Sequence, residues 1–259
     1  MQSRARYPTP FPEVNALLDR LRSELESLLG HRLTGLYLHG SLALGGFDPR
    51  RSDIDYLAVT AEPLSDPVLS DLAELHRRIG ESDHRWVIPY EGSYIPVQAI
   101  RRHDPARSLH PVIRVDGSFG VDRHGGEWII QRHLIRERGI TLVGPPPESL
   151  IDPVTPGDLR LAVCHLMREW WEPQLRDPHR LRSSEYQAYA VLTMCRVLYT
   201  LRFGSLASKP EAARWAQQTL DQRWAGLIEG AMAWRRGGAL DCMEEALALI
   251  RFTLGHLEG

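Results

Sequence analysis

Two aspartates two residues apart, Asp53 and Asp55, stand at the head of an apolar run, Ile54 to Thr60. In a strand, residues i and i+2 point to one side, so this spacing holds two carboxylates together. Such a pair repels itself unless a cation intervenes. A hard divalent ion such as Mg²⁺ takes oxygen ligands and answers that repulsion. Upstream, Gly40-Ser41 follows the short apolar run Leu33 to Leu38 and precedes Leu42 to Leu44. A glycine at a strand-to-helix turn lets backbone N–H groups and a hydroxyl approach a phosphate. No Gly-Lys-Ser/Thr follows, so this is not a Walker loop. A third acid would complete the metal site. Glu91, within Tyr90-Glu91-Gly92-Ser93-Tyr94-Ile95-Pro96, is the choice: it lies at a strand edge among apolar neighbours, where a carboxylate is costly without a partner. Glu81 and Asp83 compete with it from a polar turn.

These residues need elements to hold them. Val14, Leu17, Leu18, Leu21, Leu25, Leu28 and Leu29 recur at helical spacing, with Gly30 to end the helix. Leu33 to Leu38 and Ile54 to Thr60 read as strands, and Pro67 to Ile79 as a helix. Arg85 to Ile88 and Tyr94 to Ile100 read as further strands, broken by Glu91-Gly92-Ser93. Residues 104–126 read as a loop-rich connection. Helices and strands in this order give a mixed α/β domain. Gly144-Pro145-Pro146-Pro147, Asp152-Pro153 and Thr155-Pro156 mark a boundary. Beyond it only helices are expected, at 157–171, 184–203, 210–220, 223–236 and 239–257, with Gly204 as a C-terminal cap. The expected organisation is an α/β (α+β) domain with a mixed sheet over 1–153 and an all-α helical bundle over 154–259.

Composition limits the alternatives. The chain has 259 residues, a formal net charge of −2, 43% hydrophobic and 25% charged residues. That suits a folded protein and argues against disorder, collagen or coiled coil as the dominant class. The near-zero charge makes nucleic acid an unlikely partner, although Arg101, Arg102 and Arg107 form a local basic patch. No apolar run is long enough for a membrane span. Met1 to Phe11 lack a signal-peptide core, which predicts a cytoplasmic protein. Cys164, Cys195 and Cys242 are too scattered for a disulfide framework or zinc cluster. His39, His103, His110, His124 and His133 lack ligand spacing for zinc. One count is unusual: of 31 basic residues, a single one, Lys209, is lysine. Codon bias toward arginine explains most of this and leaves open why one lysine survives.

Gly40-Ser41, eleven intervening residues, then Asp53-Ile54-Asp55 on a strand, with a third acid on a later strand, resembles the nucleotidyltransferase superfamily that includes DNA polymerase β. The helical half is similar to the C-terminal domain of the streptomycin/spectinomycin adenylyltransferases. The likeness rests on Leu192-Thr193-Met194-Cys195-Arg196, Tyr199, Gly204, Ser208-Lys209-Pro210, Ala213 and Trp215-Ala216. Leu142-Val143-Gly144-Pro145 and Asp152-Pro153 resemble the same family at its domain junction. The likeness runs from about residue 33 to 236.

The resemblance implies an Mg²⁺-dependent enzyme that moves AMP from ATP to a hydroxyl of an aminoglycoside or aminocyclitol antibiotic and releases pyrophosphate. It gives residues 1–153 the metal and nucleotide site, and 154–259 phosphate contacts and the acceptor site. It implies that Asp53, Asp55 and Glu91 hold metal, with Glu91 a ligand or general base. Gly40, Ser41, Ser52, Arg196 and Lys209 would meet nucleotide phosphates, and Trp234 would pack on the nucleotide. The residues agree in part. Ser208 suits an N-cap and Pro210 a first turn, which puts Lys209 at the positive end of a helix, where a bound anion would favour it. Arg196, within an apolar helix, needs a partner. A cationic acceptor calls for acidic groups, here Glu185 with Glu169, Glu172 and Asp177, and stacking on Trp170 or Trp171. One departure stands out: where the antibiotic enzymes carry paired aspartates, this chain has Ser183-Ser184-Glu185-Tyr186-Gln187. The alternatives are a nucleotidyltransferase for another hydroxyl (metabolite, protein or RNA end) and a nucleotide-sensing or toxin–antitoxin module without transfer.

Overall fold

Val14, Leu18, Leu21, Leu25 and Leu29, spaced by three and four, form the buried stripe of a first helix, α1 (Pro12–Leu29), which ends where Gly30 takes a positive φ of 52°. In the computed structural model, which describes residues 9–49, 52–81 and 89–257, the chain divides into two compact units. One takes the residues up to Gly125 together with Gln131–Pro153; the other takes Gly126–Ile130 together with the residues from Val154 on.

The first unit is built on a six-stranded mixed sheet of β1 (Leu33–Leu38), β2 (Ile54–Thr60), β3 (Tyr90–Pro96), β4 (Leu109–Ile113), β5 (Phe119–Arg123) and β6 (Ile140–Val143). The spatial order is β5-β4-β3-β2-β1-β6. Among these neighbours only β2 and β3 run parallel. A short helix, α2 (Gly40–Ala43), links β1 toward β2, and α3 (Asp66–Glu81) lies between β2 and β3 in the chain. Along β2 the residues alternate. Ile54, Tyr56 and Ala58 join the core formed with Leu21, Leu25, Leu72 and Leu75, which leaves Asp55 for the opposite side.

Several expectations change. Glu91-Gly92-Ser93 does not break a strand: it lies inside β3, whose register runs Asp55↔Glu91 and Tyr56↔Gly92. Gly92 is there because the Tyr56 ring covers it and a Cβ would overlap that ring. The strand stops at Pro96, and Val97–Ile100 form a short helix, α4, rather than strand. The 104–126 segment contains the β4–β5 hairpin, with Gly117 in its turn at φ 82°. A helix and a strand follow, α5 (Glu127–Arg138) and β6. The expected strand at Arg85–Ile88, and Asp83, lie outside the described residues.

The second unit is helical: α6 (Pro156–Leu166), α7 (Ser184–Phe203), α8 (Lys209–Thr219), α9 (Ala225–Ala233) and α10 (Met243–Leu254). The first expected helix is shorter than its pattern, because the backbone widens into a π-turn over Met167–Trp171. Likewise α9 ends before Trp234 and α10 starts only at Met243. Helix α7 is central. Its spacing and its left-handed Gly204 cap (φ 64°) are those expected, and most of its residues are buried. Ala212, Ala213 and Ala216 are fully buried on α8. Small residues there let two helix backbones approach closely.

Candidate active site

Strand register gathers the acids. Asp55 on β2 lies directly beside Glu91 on parallel β3, and Asp53 precedes β2 by one residue. One carboxylate oxygen from each of Asp53, Asp55 and Glu91 comes within 4.8 Å of the others, and no other such His, Cys, Asp or Glu group occurs among the described residues. Asp53 and Asp55 are half-buried, whereas Glu91 is exposed rather than set among apolar neighbours. Its place at the N-terminal end of β3 leaves it open to water. Its competitor Glu81 is occupied by an ion pair with Arg77. Three oxygen donors and no nitrogen or sulfur make a set suited to a hard cation such as Mg²⁺.

The glycine turn abuts this triad. The His39 N–H donates to the Asp55 carbonyl at 3.0 Å. Gly40 then takes φ +58°, and a Cβ on it would overlap the Asp55 carboxylate. Both facts require glycine. The Ser41 Oγ is buried and has no hydrogen-bond partner among the described residues. Ser52 is buried, its Oγ accepting from the Asp48 N–H at 3.1 Å.

His39, which sequence reasoning set aside with the other histidines, belongs to this site. Burial pushes its imidazole down to about 4, offset in part by the Tyr56 carbonyl and the Asp53 charge. The ring is therefore neutral at pH 7, and its buried Nδ1 has no partner among the described residues. Its place directly before Gly40-Ser41 was the available signal. Beneath the sheet, Tyr56, His76, Tyr90 and Tyr94 form a hydrogen-bonded cluster, with His76 Nε2 at 2.7 Å from the Tyr94 hydroxyl. Burial holds His76 down to about 4 and Tyr56 well above its usual value.

In the helical unit, Arg196 is half-buried on α7. Lys209 is the exposed first residue of α8, behind the Ser208 cap. Its Nζ lies 5.3 Å from the centre of the Tyr189 ring on α7. Trp234 stands at the C-terminal cap of α9, not within a helix, and its indole N–H donates to the Gly238 carbonyl at 2.9 Å. Glu185 is exposed in the first turn of α7. Trp170 is exposed, donates its indole N–H to the Tyr186 hydroxyl at 2.8 Å, and carries the Arg180 guanidinium 4.9 Å from its ring centre. Trp171 is fully buried against Tyr186 and Tyr189. It is part of the helical core, so the expectation that it stacks on an acceptor is corrected. Glu169, Glu172 and Asp177 are exposed. In the basic patch, Arg101 and Arg102 both pair with Asp152 and Arg107 with Asp104. Among the described residues, no helix is long and apolar enough to cross a membrane.

Comparison with known proteins places both regions. Residues 18–108 match the nucleotidyltransferase domain family, and residues 149–257 match the C-terminal domain of aminoglycoside adenylyltransferases. The chain is 26% identical to an aminoglycoside (3'') (9) adenylyltransferase of Shigella flexneri, over 95% of this chain and 97% of that protein. It is 25% identical to a spectinomycin 9-adenylyltransferase of Staphylococcus aureus, over 90% and 91%. The fold is that of the spectinomycin adenylyltransferase AAD(9) of Enterococcus faecialis, solved with ATP and spectinomycin: the TM-score is 0.76 at 18% identity, covering 94% of this chain and 99% of that one. The acidic triad and its glycine turn fall within the first family match, and Arg196 and Lys209 within the second; over these two stretches the chain is similar to nucleotidyltransferases of the aminoglycoside adenylyltransferase kind.

Proposed function

We propose that this protein transfers AMP from ATP to a hydroxyl of an aminoglycoside or aminocyclitol antibiotic, such as streptomycin or spectinomycin, and releases pyrophosphate. The observation that carries the reading is the Asp53-Asp55-Glu91 triad packed against the left-handed turn at Gly40. Mg²⁺ held by these three carboxylates would supply positive charge to the phosphates and the leaving group. The other roles belong to the chain itself. Backbone N–H groups at Gly40 and the hydroxyls of Ser41 and Ser52 meet phosphate oxygens. Arg196 and Lys209 add positive charge where phosphate charge develops, and Trp234 packs on the nucleotide. Glu91, exposed beside the half-buried pair, takes the proton of the acceptor hydroxyl. The acceptor oxygen bonds to the α-phosphorus as the bond to the bridging oxygen breaks, and pyrophosphate departs with that electron pair. Glu185 and Trp170 meet the acceptor. ATP as co-substrate fits a cytoplasmic enzyme.

One observation favours a second acceptor class. The Arg180 guanidinium already covers the Trp170 and Tyr186 rings, at 4.9 and 5.9 Å, where a cationic antibiotic would stack. A neutral hydroxyl acceptor would not compete with it. The test is pyrophosphate release from ATP, GTP, CTP and UTP with Mg²⁺, alone and with streptomycin or spectinomycin. Release from ATP only with an antibiotic supports the proposal. Release with ATP alone points to water or self-modification. Absence of release in every arm, with ATP bound, leaves another acceptor or a nucleotide sensor.

A further inference from the structure

Lys209 is the chain's only lysine, and its position works against it. It opens α8, where the helix dipole disfavours a cation, and it is exposed, so burial does not fix its side chain. A flexible ammonium on a four-carbon stem has many rotamers to lose. Yet its Nζ lies over a ring face, 5.3 Å from the centre of Tyr189.

That ring is itself held. Tyr189 packs against Trp171 at 5.6 Å and Tyr186 at 5.5 Å, and those two meet at 5.7 Å. Trp171 is fully buried, so the trio is anchored in the helical core while Tyr189 reaches the surface. The buried alanines of α8, Ala212, Ala213 and Ala216, join the same core as α7, which fixes the lysine's backbone relative to the ring. Arg196 stands seven residues beyond Tyr189, two turns along the same face of α7, about 10 Å further on. We propose that Tyr189 is a positioning residue for Lys209: its anchored ring seats the ammonium by a cation–π contact, so that the cation is in place before nucleotide phosphate arrives. This rests on the reading of Lys209 as a phosphate contact. It also supplies a local reason for lysine, since a compact ammonium can leave one side of its charge to the ring and offer its N–H groups outward. A planar guanidinium would lie flat on the ring instead.

The experiment is a double-mutant cycle on MgATP affinity, measured by calorimetry on the full chain, with thermal unfolding as the check on folding. Tyr189→Phe keeps the ring and should bind MgATP as wild type. Tyr189→Leu should weaken binding about two- to fivefold, the size of an exposed cation–π contact, and lower affinity less at high salt, where the ammonium is screened. In a Lys209→Met background, Tyr189→Leu should have no further effect. An equal loss in that background, or no loss in the wild-type background, overturns the seat. Lys209→Met binding as tightly as wild type overturns the phosphate role itself, and the seat with it. A loss on Tyr189→Phe equal to that on Tyr189→Leu assigns the effect to the hydroxyl and overturns the seat as well.

Discussion

Gly40 and Asp55 exclude any side chain between them. Gly40 has a left-handed backbone, and a Cβ there would occupy the space of the Asp55 carboxylate. The neighbouring His39 N–H is bonded to the Asp55 carbonyl. The turn and the strand that carries Asp55 are therefore one unit, and a substitution in the turn should be read out at the acid. Gly40→Ala is expected to lower stability by about 1–3 kcal/mol, the range for strain at such a backbone. Transfer should fall far more, about 100-fold, because displacing a reacting group by about 1 Å has that effect. Comparison of the unfolding free energy with pyrophosphate release checks this; losses that match in size would reduce the glycine to a stability residue.

The acids should separate by role. Asp53→Asn or Asp55→Asn removes a half-buried charge from the cation site and should abolish transfer with the fold intact. Glu91→Gln is different. An amide oxygen can still face a cation, but it cannot take a proton. MgATP affinity should stay within about threefold while transfer falls about 10²–10⁴-fold, the size of a general-base contribution. Calorimetry against single-turnover rates distinguishes the two, and a Glu91→Gln protein that loses MgATP binding would make Glu91 a ligand alone.

Four buried imidazoles should set the acid limit of stability. Burial brings His39, His76 and His110 down to about 4, and burial with the neighbouring His110 charge brings His124 to about 2. The unfolded value is near 6.5. Below that pH the unfolded chain binds protons that the folded chain refuses, so stability falls as pH drops. The loss should begin near pH 6.5 and continue to about pH 4, with little change above pH 7. Denaturant unfolding between pH 7.5 and 4.5 measures it. A flat profile down to pH 5 would mean that the folded protein accepts these protons.

The site was more legible than the frame around it. Asp53 and Asp55 are near neighbours in the chain, so strand alternation alone brings them together. Glu91 was recognisable as an acid, but not for its cause: parallel register with Asp55, rather than apolar surroundings, places it. Gly92 read as a breaker because a sequence does not display the Tyr56 ring that needs the space. The β4–β5 hairpin was hidden by inverted polarity, with His110 buried while Leu109 and Val121 are 62% and 52% exposed. In α5, Trp128, Ile129 and Ile130 are consecutive rather than helically spaced. Trp171 read as a stacker alongside exposed Trp170, but it packs into the helical core against Tyr186 and Tyr189. Tertiary contacts decided each of these, and pattern reasoning has no access to them.

Lys209 gives the sharpest remaining test, because the chain itself is biased against lysine. Arginine serves at every other basic position, which shows that most of these sites tolerate a guanidinium. If Lys209 were one more surface cation, Lys209→Arg would be silent. The Ser208 cap and Pro210 would be untouched, so folding gives no reason for an effect. A phosphate role predicts otherwise. The guanidinium is longer, planar and inclined to stack on Tyr189 rather than direct a point charge at an oxygen. Loss of one charge-assisted hydrogen bond is worth about 1.5–3 kcal/mol, so the KM for ATP should rise at least about tenfold. The thermal midpoint should not move. Steady-state kinetics with ATP as the varied substrate, or calorimetric affinity where the acceptor is not yet known, decides between the two, and wild-type values for Lys209→Arg would return the lone lysine to chance.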